Sequence, residues 1–350
     1  MSTSLHRMLE GLPSPDRAAA ASVHDRAARI LRPSGALAWL DALAEWIAGW
    51  HRTERPRVER PVGLIFAGDH GVAAAESVSA YPTEVTAAMF AAYQQGCSTI
   101  SSFARHAGAE VEAIDVGIGR PTGDIRYEAA LSVERFEEIM AVAVAAVGRL
   151  DGDLLVIGEM GIGNTTPSAA LAAALAGGET AAWVGRGTGV DDAGLARKRV
   201  AVQQAVRRIA GVTDPIEVLR EVGGAELAAI AAAVVAARHR SMPVVLDGYV
   251  VTASVLPLVM IEPTALDHCI VGHCSAEPGH RKLLERLGKR PLLDLDMRLG
   301  EGSGAMAAVP LVAMACAGIT EVPTFDEWFR PSCLDRSEDS APQLGRTRPT

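Results

Sequence analysis

The chain has 350 residues, 49% of them hydrophobic and only 4% aromatic, which is enough for one large domain with a smaller one. Much of the apolar content is alanine, which suits helices packed closely on a sheet and argues against a β-sandwich. A net charge of −9 without any Lys/Arg block argues against a nucleic-acid partner.

Five cysteines without regular spacing exclude a disulfide framework. The N-terminus lacks a signal-type apolar core, and no uninterrupted apolar run reaches about 18–20 residues. The expectation is a reduced cytoplasmic protein with no membrane span.

Residues 1–60 read as helical. Pro15-Asp16 starts one helix over 16–31, and a second runs over 35–50 with Leu40, Leu43 and Ile47 on one face beside Trp39, Trp46 and Trp50. RTERPRVERP breaks the pattern with charge and two prolines, which sets a domain boundary near Pro61. From there short apolar runs ending in glycine recur: GLIFAGDHG, VEAIDVGIG, LLVIGEMGIGN, PVVLDGYVVTA, CIVGHCSAEPGH and LLDLDMRLGEGSG. AAWVGRGTG, residues 181–189, is a shorter and weaker member of the series. Alanine- and leucine-rich stretches such as 228–237 separate most of them. This alternation predicts βαβ units, a mainly parallel sheet, and ligands at the carboxyl ends of the strands. The run 305–317 has no polar side chain and reads as a buried helix capped by the preceding loop. Residues 324–329 read as a short helical end, and the polar segment from about 335 to 350 as a flexible tail.

LLVIGEMGIGNTTPSAA, residues 154–170, reads as a buried strand, a Gly-rich loop and a helix opened by Pro167. The amides and positive dipole end of such a junction suit a phosphate. A Gly-rich turn with a threonine N-cap accounts for the same residues without a ligand. Glu159 stands inside this anion-seeking loop. A second Gly-rich loop, Gly185-Arg186-Gly187-Thr188-Gly189, precedes Lys198, which either reaches a phosphate as a point charge or lies on a solvated helix face. Asp69-His70, His268, His273, His280, Cys269 and Cys274 fit no zinc spacing, so no metal is expected. His273, beside Ser275 and Glu277, reads as a polar pocket residue. In DLDMRLGEGSG, residues 294–304, Arg298 and Glu301 share a strand-end loop with three glycines. A carboxylate held in such a partly buried pocket suits general-base work; surface turn chemistry is the alternative.

Taken in order, FAGDHGV, SAYPTEVT, GEMGIGNTT, VGRGTG, LDGYVVTA, GHCSAEPGH and RLGEGSGA closely resemble the nicotinate-nucleotide–dimethylbenzimidazole phosphoribosyltransferases. The resemblance implies a large Rossmann-like α/β domain over 61–317. It also implies a small helical domain from 1–60 with part of 318–350, a homodimer, and no metal or organic cofactor. The implied reaction moves 5-phosphoribose from nicotinate mononucleotide to 5,6-dimethylbenzimidazole. It yields α-ribazole 5′-phosphate and nicotinate with inversion at C1′, in assembly of the cobalamin nucleotide loop.

By this resemblance Glu301 is the general base that takes the benzimidazole N–H proton, and Glu159 is a second acidic group near the ribose and departing base. Gly161, Gly163, Asn164, Thr165 and Thr166 match the nucleotide-phosphate loop. Gly187, Lys198, Ser275 and Arg298 line the phosphate and ribose region, and Ser79, Tyr81, Met89 and Leu299 wall the base pocket. The family often carries glutamine where this chain has Ala88, which bears on the identity of the acceptor base. An NAD-dependent oxidoreductase is a poor fit, because Gly161 and Gly163 are followed by Asn164-Thr165-Thr166 rather than the third glycine of G-x-G-x-x-G. Intact Glu159 and Glu301 argue against a non-catalytic nucleotide-binding regulator on the same fold.

Overall fold

The computed structural model describes residues 3–330. In chain order, α1 (Ser4–Met8), α2 (Arg17–Ala27) and α3 (Ala38–His51) precede β1 (Pro61–Gly68). Helices α4 (Gly71–Ala75), α5 (Val85–Gln94) and α6 (Thr99–Ala107) lead to β2 (Glu110–Gly117), and α7 (Val133–Gly148) leads to β3 (Leu154–Met160). Next come α8 (Thr165–Ala176), α9 (Asp192–Arg208), α10 (Pro215–Val222) and α11 (Ala225–His239), then β4 (Val244–Leu246). The remainder is α12 (Tyr249–Ile261), β5 (Cys269–His273), α13 (Pro278–Leu287), β6 (Pro291–Leu293), α14 (Ser303–Thr320) and α15 (Phe325–Trp328).

Contacts divide the described residues into two units, 3–15 with 58–310 and 16–57 with 311–330. The larger unit holds a six-stranded, all-parallel sheet in the order β2-β1-β3-β4-β5-β6. Every residue of β1 and the first six of β3 are buried, as central parallel strands covered on both faces require. Edge strand β2, EVEAIDVG, is exposed or half-exposed until its last two residues, and its acidic side chains keep that edge from pairing further. Fourteen of the fifteen residues of α11 are buried. Its alanines let it pack closely on α7 and on β1, β2 and β3. Serine and aspartate caps set the starts of the flanking helices: Ser132 accepts from the Arg135 N–H, and Asp191 from the Gly194 N–H.

In the smaller unit α2 packs on α3, and Asp16 caps α2 by accepting from the Ala18 and Ala19 N–H groups. The chain ends of this unit are tied together. Ile30 bridges Thr324 in antiparallel fashion, and the Arg26 guanidinium meets both Glu327 carboxylate oxygens at 3.0 and 3.1 Å.

The structure departs from the sequence reading at three places. Residues 3–15 belong with the sheet rather than with the following helices. Leu5 is fully buried, the Ser4 N–H donates to Glu137 on α7 at 3.0 Å, and Arg238 Nε donates to the Pro13 carbonyl at 2.6 Å. A five-residue helix carries too little periodicity to show in sequence which surface it docks on. The carboxy-terminal division between units falls at residues 310/311, inside α14, rather than at 317. Residues 181–189 form no strand: Thr180–Trp183 is a 3-10 turn, and the positive φ of Gly187 and Gly189 breaks extended geometry. By length and composition α14 is long and apolar enough to cross a membrane, and 56% of it is buried inside the protein. The expected tail over 335–350 lies outside the described residues.

Candidate active site

Strand order reverses between β1 and β3, the switch point at which doubly wound parallel sheets bind ligands. The segments following β3, β4, β5 and β6 converge there on a cavity of about 510 Å³, within the range of small-molecule sites.

Two carboxyls meet in it. Glu159, the penultimate residue of β3, is 8% exposed, and its Oε2 accepts from the Asn164 side-chain amide. Burial pushes its pKa up to about 8; the charges of Glu226, Asp247 and Glu301 add to the rise, and the Asn164 bond opposes it. Glu301 is 5% exposed and belongs to the loop between β6 and α14. Burial raises its pKa and the Asp247 charge adds to this, while the Ile100 backbone and the Tyr93 hydroxyl pull it down. Its φ of 67° lies between Gly300 at 86° and Gly302 at 89°, so the carboxylate is carried on a left-handed stretch of backbone.

The loop is pinned on both sides. Asp247, just after β4, accepts from the Gly302 N–H at 3.2 Å and the Ala305 N–H at 2.8 Å. On the β3 side a Cβ at Gly158 would lie 2.1 Å from the Glu301 carbonyl oxygen, so only glycine allows this approach.

A second group of residues supplies positive charge and amides. Lys198 on α9 is 1% exposed, and its ammonium donates to Thr165 Oγ1 at 2.8 Å. Burial lowers its pKa to about 8, against the pull of Glu277. Gly187 is held from two sides: its N–H donates to Glu277 Oε1 at 2.9 Å, and its carbonyl accepts from Arg298 Nη1 at 3.1 Å. His273, at the end of β5, lines the cavity with its Nδ1 3.3 Å from Asp247 Oδ1. Next to it, His280 Nδ1 accepts from the Ser275 N–H at 2.7 Å, and burial keeps the His280 pKa down at about 3.

Of the residues expected in the site, Glu159, Glu301, Gly161, Asn164, Thr165, Gly187, Ser275, Arg298, Tyr81, Met89 and Leu299 line this cavity. Four do not. Ser79 stands one bond behind it, its hydroxyl 3.0 Å from that of Thr188, and Lys198 stands behind Thr165. Gly163 makes the turn beneath the loop at φ 88°, against Ala73, and Thr166 is fully buried. Helix α8 opens at Thr165, not at Pro167, and no threonine caps it; Asn164 precedes it with its side chain given to Glu159.

Sequence reasoning missed Val85, Thr99, Thr188, Tyr249 and Val250 in the lining. Val85 had a readable signal, since Tyr81, Val85 and Met89 are spaced four apart. Thr99 had none, because serine and threonine at a helix start read as caps. Among the described residues no group of three or more His, Cys, Asp or Glu side chains is arranged to hold a metal ion.

A family model described as Phosphoribosyltransferase matches residues 12–328, which gives the class of protein that this fold and cavity serve. Curated relatives narrow the class. A nicotinate-nucleotide–dimethylbenzimidazole phosphoribosyltransferase of Mesorhizobium japonicum is 47% identical over 317 residues, covering 90% of this chain and 94% of that one. Its namesake in Methylorubrum extorquens is 45% identical over 325 residues, covering 92% and 94%. The crystal structure of CobT from Thermus thermophilus superposes with a TM-score of 0.84 at 40% identity, covering 89% of this chain and 98% of that one. The chain belongs to the nicotinate-nucleotide–dimethylbenzimidazole phosphoribosyltransferase family.

Proposed function

We propose that this chain transfers 5-phosphoribose from nicotinate mononucleotide to 5,6-dimethylbenzimidazole or a related lower-ligand base. The products are α-ribazole 5′-phosphate and nicotinate, with inversion at C1′. The observation that carries the reading is the pair of buried carboxyls, Glu159 and Glu301, on loops locked together at Gly158 in a cavity that also holds Thr165, Gly187 and Arg298.

The chemistry needs little from an acid. The nicotinate ring nitrogen is cationic in the nucleotide and leaves as a neutral base, taking the electrons of the C1′–N bond. The incoming azole is a weak nucleophile that becomes cationic as one ring nitrogen bonds to C1′. Glu301 takes the proton from its other nitrogen, a contribution of about 10²–10⁴ in rate. A carboxyl whose pKa burial has raised is a stronger base than an exposed one. Ionised Glu301 would also stabilise the positive charge on the pyridinium and on the ribose carbon in the transition state, with Glu159 joining it above about pH 8. Holding both rings in one cavity supplies the orientation for a single inverting displacement.

Gly161, Asn164, Thr165 and the first turn of α8 serve the 5′-phosphate, with Lys198 supporting it through Thr165. Ser275, Gly187 and Arg298 complete the ribose-phosphate side. Tyr81, Met89, Leu299 and Val85 form the wall for the acceptor base. Ala88 is exposed and lies outside the lining, so the cavity offers the acceptor no amide from that position. The reading extends to a homodimer working in the cytoplasm; light scattering of the purified chain tests the assembly.

The deciding experiment follows nicotinate release from nicotinate mononucleotide with and without dimethylbenzimidazole. Acceptor-dependent release with formation of the α-riboside phosphate is expected. Glu301→Gln should reduce it by at least 100-fold, about the span of a lost general base, with nucleotide affinity nearly unchanged. Nucleotide bound but never turned over by the wild-type chain would leave only a binding protein.

A further inference from the structure

Two buried groups beside Glu301 have no part in the reaction as written above. Asp247 is 1% exposed, and through the Gly302 and Ala305 amides it grips the loop on the carboxyl side of Glu301. Tyr93 on α5 is 5% exposed. Its hydroxyl is buried without a closed hydrogen bond, and so is Glu301 Oε2. Together with the Ile100 backbone, the hydroxyl favours the charged carboxylate. Hydrogen bonds of this kind are often long in an unliganded site and tighten when substrate is bound.

We propose that Asp247 and Tyr93 are positioning residues that tune Glu301 in opposite senses, Asp247 with its carboxylate behind the loop and Tyr93 with a hydroxyl donated to the carboxylate in the substrate complex. The inference rests on Glu301 being the base. A buried negative charge beside a carboxyl disfavours its ionised form and makes it a stronger base. A donor to the carboxylate does the reverse, and fixes the direction of the oxygen that must meet the N–H. The other charged or titratable groups around Glu301 are Glu159 from β3, His273 from β5, which contacts Asp247, and Arg298 in its own loop, whose guanidinium is turned to the Gly187 carbonyl. None of these bonds to the Tyr93 hydroxyl, while His273 Nδ1 stands 3.3 Å from Asp247 Oδ1, the oxygen that also accepts from the Ala305 N–H. The Tyr93 hydroxyl and the Asp247 carboxylate belong to separate elements, so each can be altered without replacing the other.

The test is the pH dependence of kcat for the full chain, its Asp247→Asn and Tyr93→Phe variants, and Glu301→Gln. The acidic limb is expected to move to lower pH in Asp247→Asn and to higher pH in Tyr93→Phe, each by roughly half a unit to one unit. Both variants should lose turnover while nicotinate mononucleotide affinity stays within about threefold. A purely structural role would lower kcat without displacing the limb. Limbs at the wild-type position in both variants, or displaced in the same direction, overturn the proposal. Should Asp247→Asn not fold, Tyr93→Phe, which removes only a hydroxyl, decides alone: an upward shift supports the proposal and an unmoved limb overturns it. Wild-type turnover in Glu301→Gln would instead sink the base assignment, so the two failures are distinguishable.

Discussion

Glu159 couples the site to the stability of the fold. Its folded pKa, about 8, lies above the ordinary value of 4.5, so between these limits the folded chain holds a proton that the unfolded chain has released. The stability linked to that proton is fully present below about pH 4.5 and is lost as pH rises through 8. Glu159→Gln should abolish this dependence. Its urea midpoint is expected to exceed that of the wild type at pH 8.5 and to converge with it near pH 4.5, in equilibrium unfolding followed by circular dichroism. A constant offset across that range would mean that Glu159 does not hold its proton in the folded state. Glu159 and Glu301 were legible in the sequence because each stands among glycines after an apolar run. Asp247 was not: LDG reads as an ordinary turn, and its partner amide at Ala305 is 58 residues further along the chain. Tyr93 was hidden in the same way, on a helix whose apolar residues do not mark one face.

At the scale of elements, the junction of β3 with the loop before α14 sets the distance between the two carboxyls. A methyl group at Gly158 would collide with the Glu301 carbonyl carbon at 2.3 Å as well as with its oxygen, and the Gly302 N–H stands at 2.6 Å. Gly158→Ala is therefore expected to push the loop off the strand. Stability should fall by about 1–3 kcal/mol, as for overpacking elsewhere. Turnover should fall by about 10²-fold, the usual cost of moving a reacting group by an ångström. Thermal unfolding together with steady-state assays checks this, and wild-type turnover in the variant would show that the loop has slack. The strands themselves were readable, since the apolar runs ending at Gly68, Gly117 and Gly158-Glu159 became β1, β2 and β3. AAWVGRGTG misled because four apolar residues before three glycines satisfy the same pattern, and only the positive φ values of Gly187 and Gly189 separate this loop from a strand. The start of α8 misled for a related reason. Asn164 is a good N-cap residue by type, yet its side chain is held by Glu159.

At the scale of the whole molecule, the smaller unit depends on joining two segments far apart in the chain, 16–57 and 311–330. Arg26 is its main tie, with Nε on the Ile319 carbonyl at 2.8 Å, Nη2 on the Val322 carbonyl at 3.1 Å, and both terminal nitrogens on Glu327. Arg26→Ala should raise hydrogen exchange in α2 and α15 while leaving β1 and β3 protected. Equal deprotection of the sheet would show that the two units unfold as one. No local sequence pattern announces this tie, because its partners are about 300 residues apart, as the 301-residue separation of Arg26 and Glu327 shows.

The left-handed backbone at Glu301 also bears on how this chain would respond to selection. A non-glycine residue held at φ 67° costs roughly 1–2 kcal/mol, and a buried carboxyl with an unpaired oxygen adds to that burden. Glycine at position 301 would relieve both. Glu301→Gly is therefore expected to melt at a higher temperature than the wild type and to be inactive, as differential scanning calorimetry beside a nicotinate-release assay can check. A library of this chain sorted for heat resistance alone would enrich inactive variants at position 301. Any programme to make the enzyme more robust must score product formation in the same round.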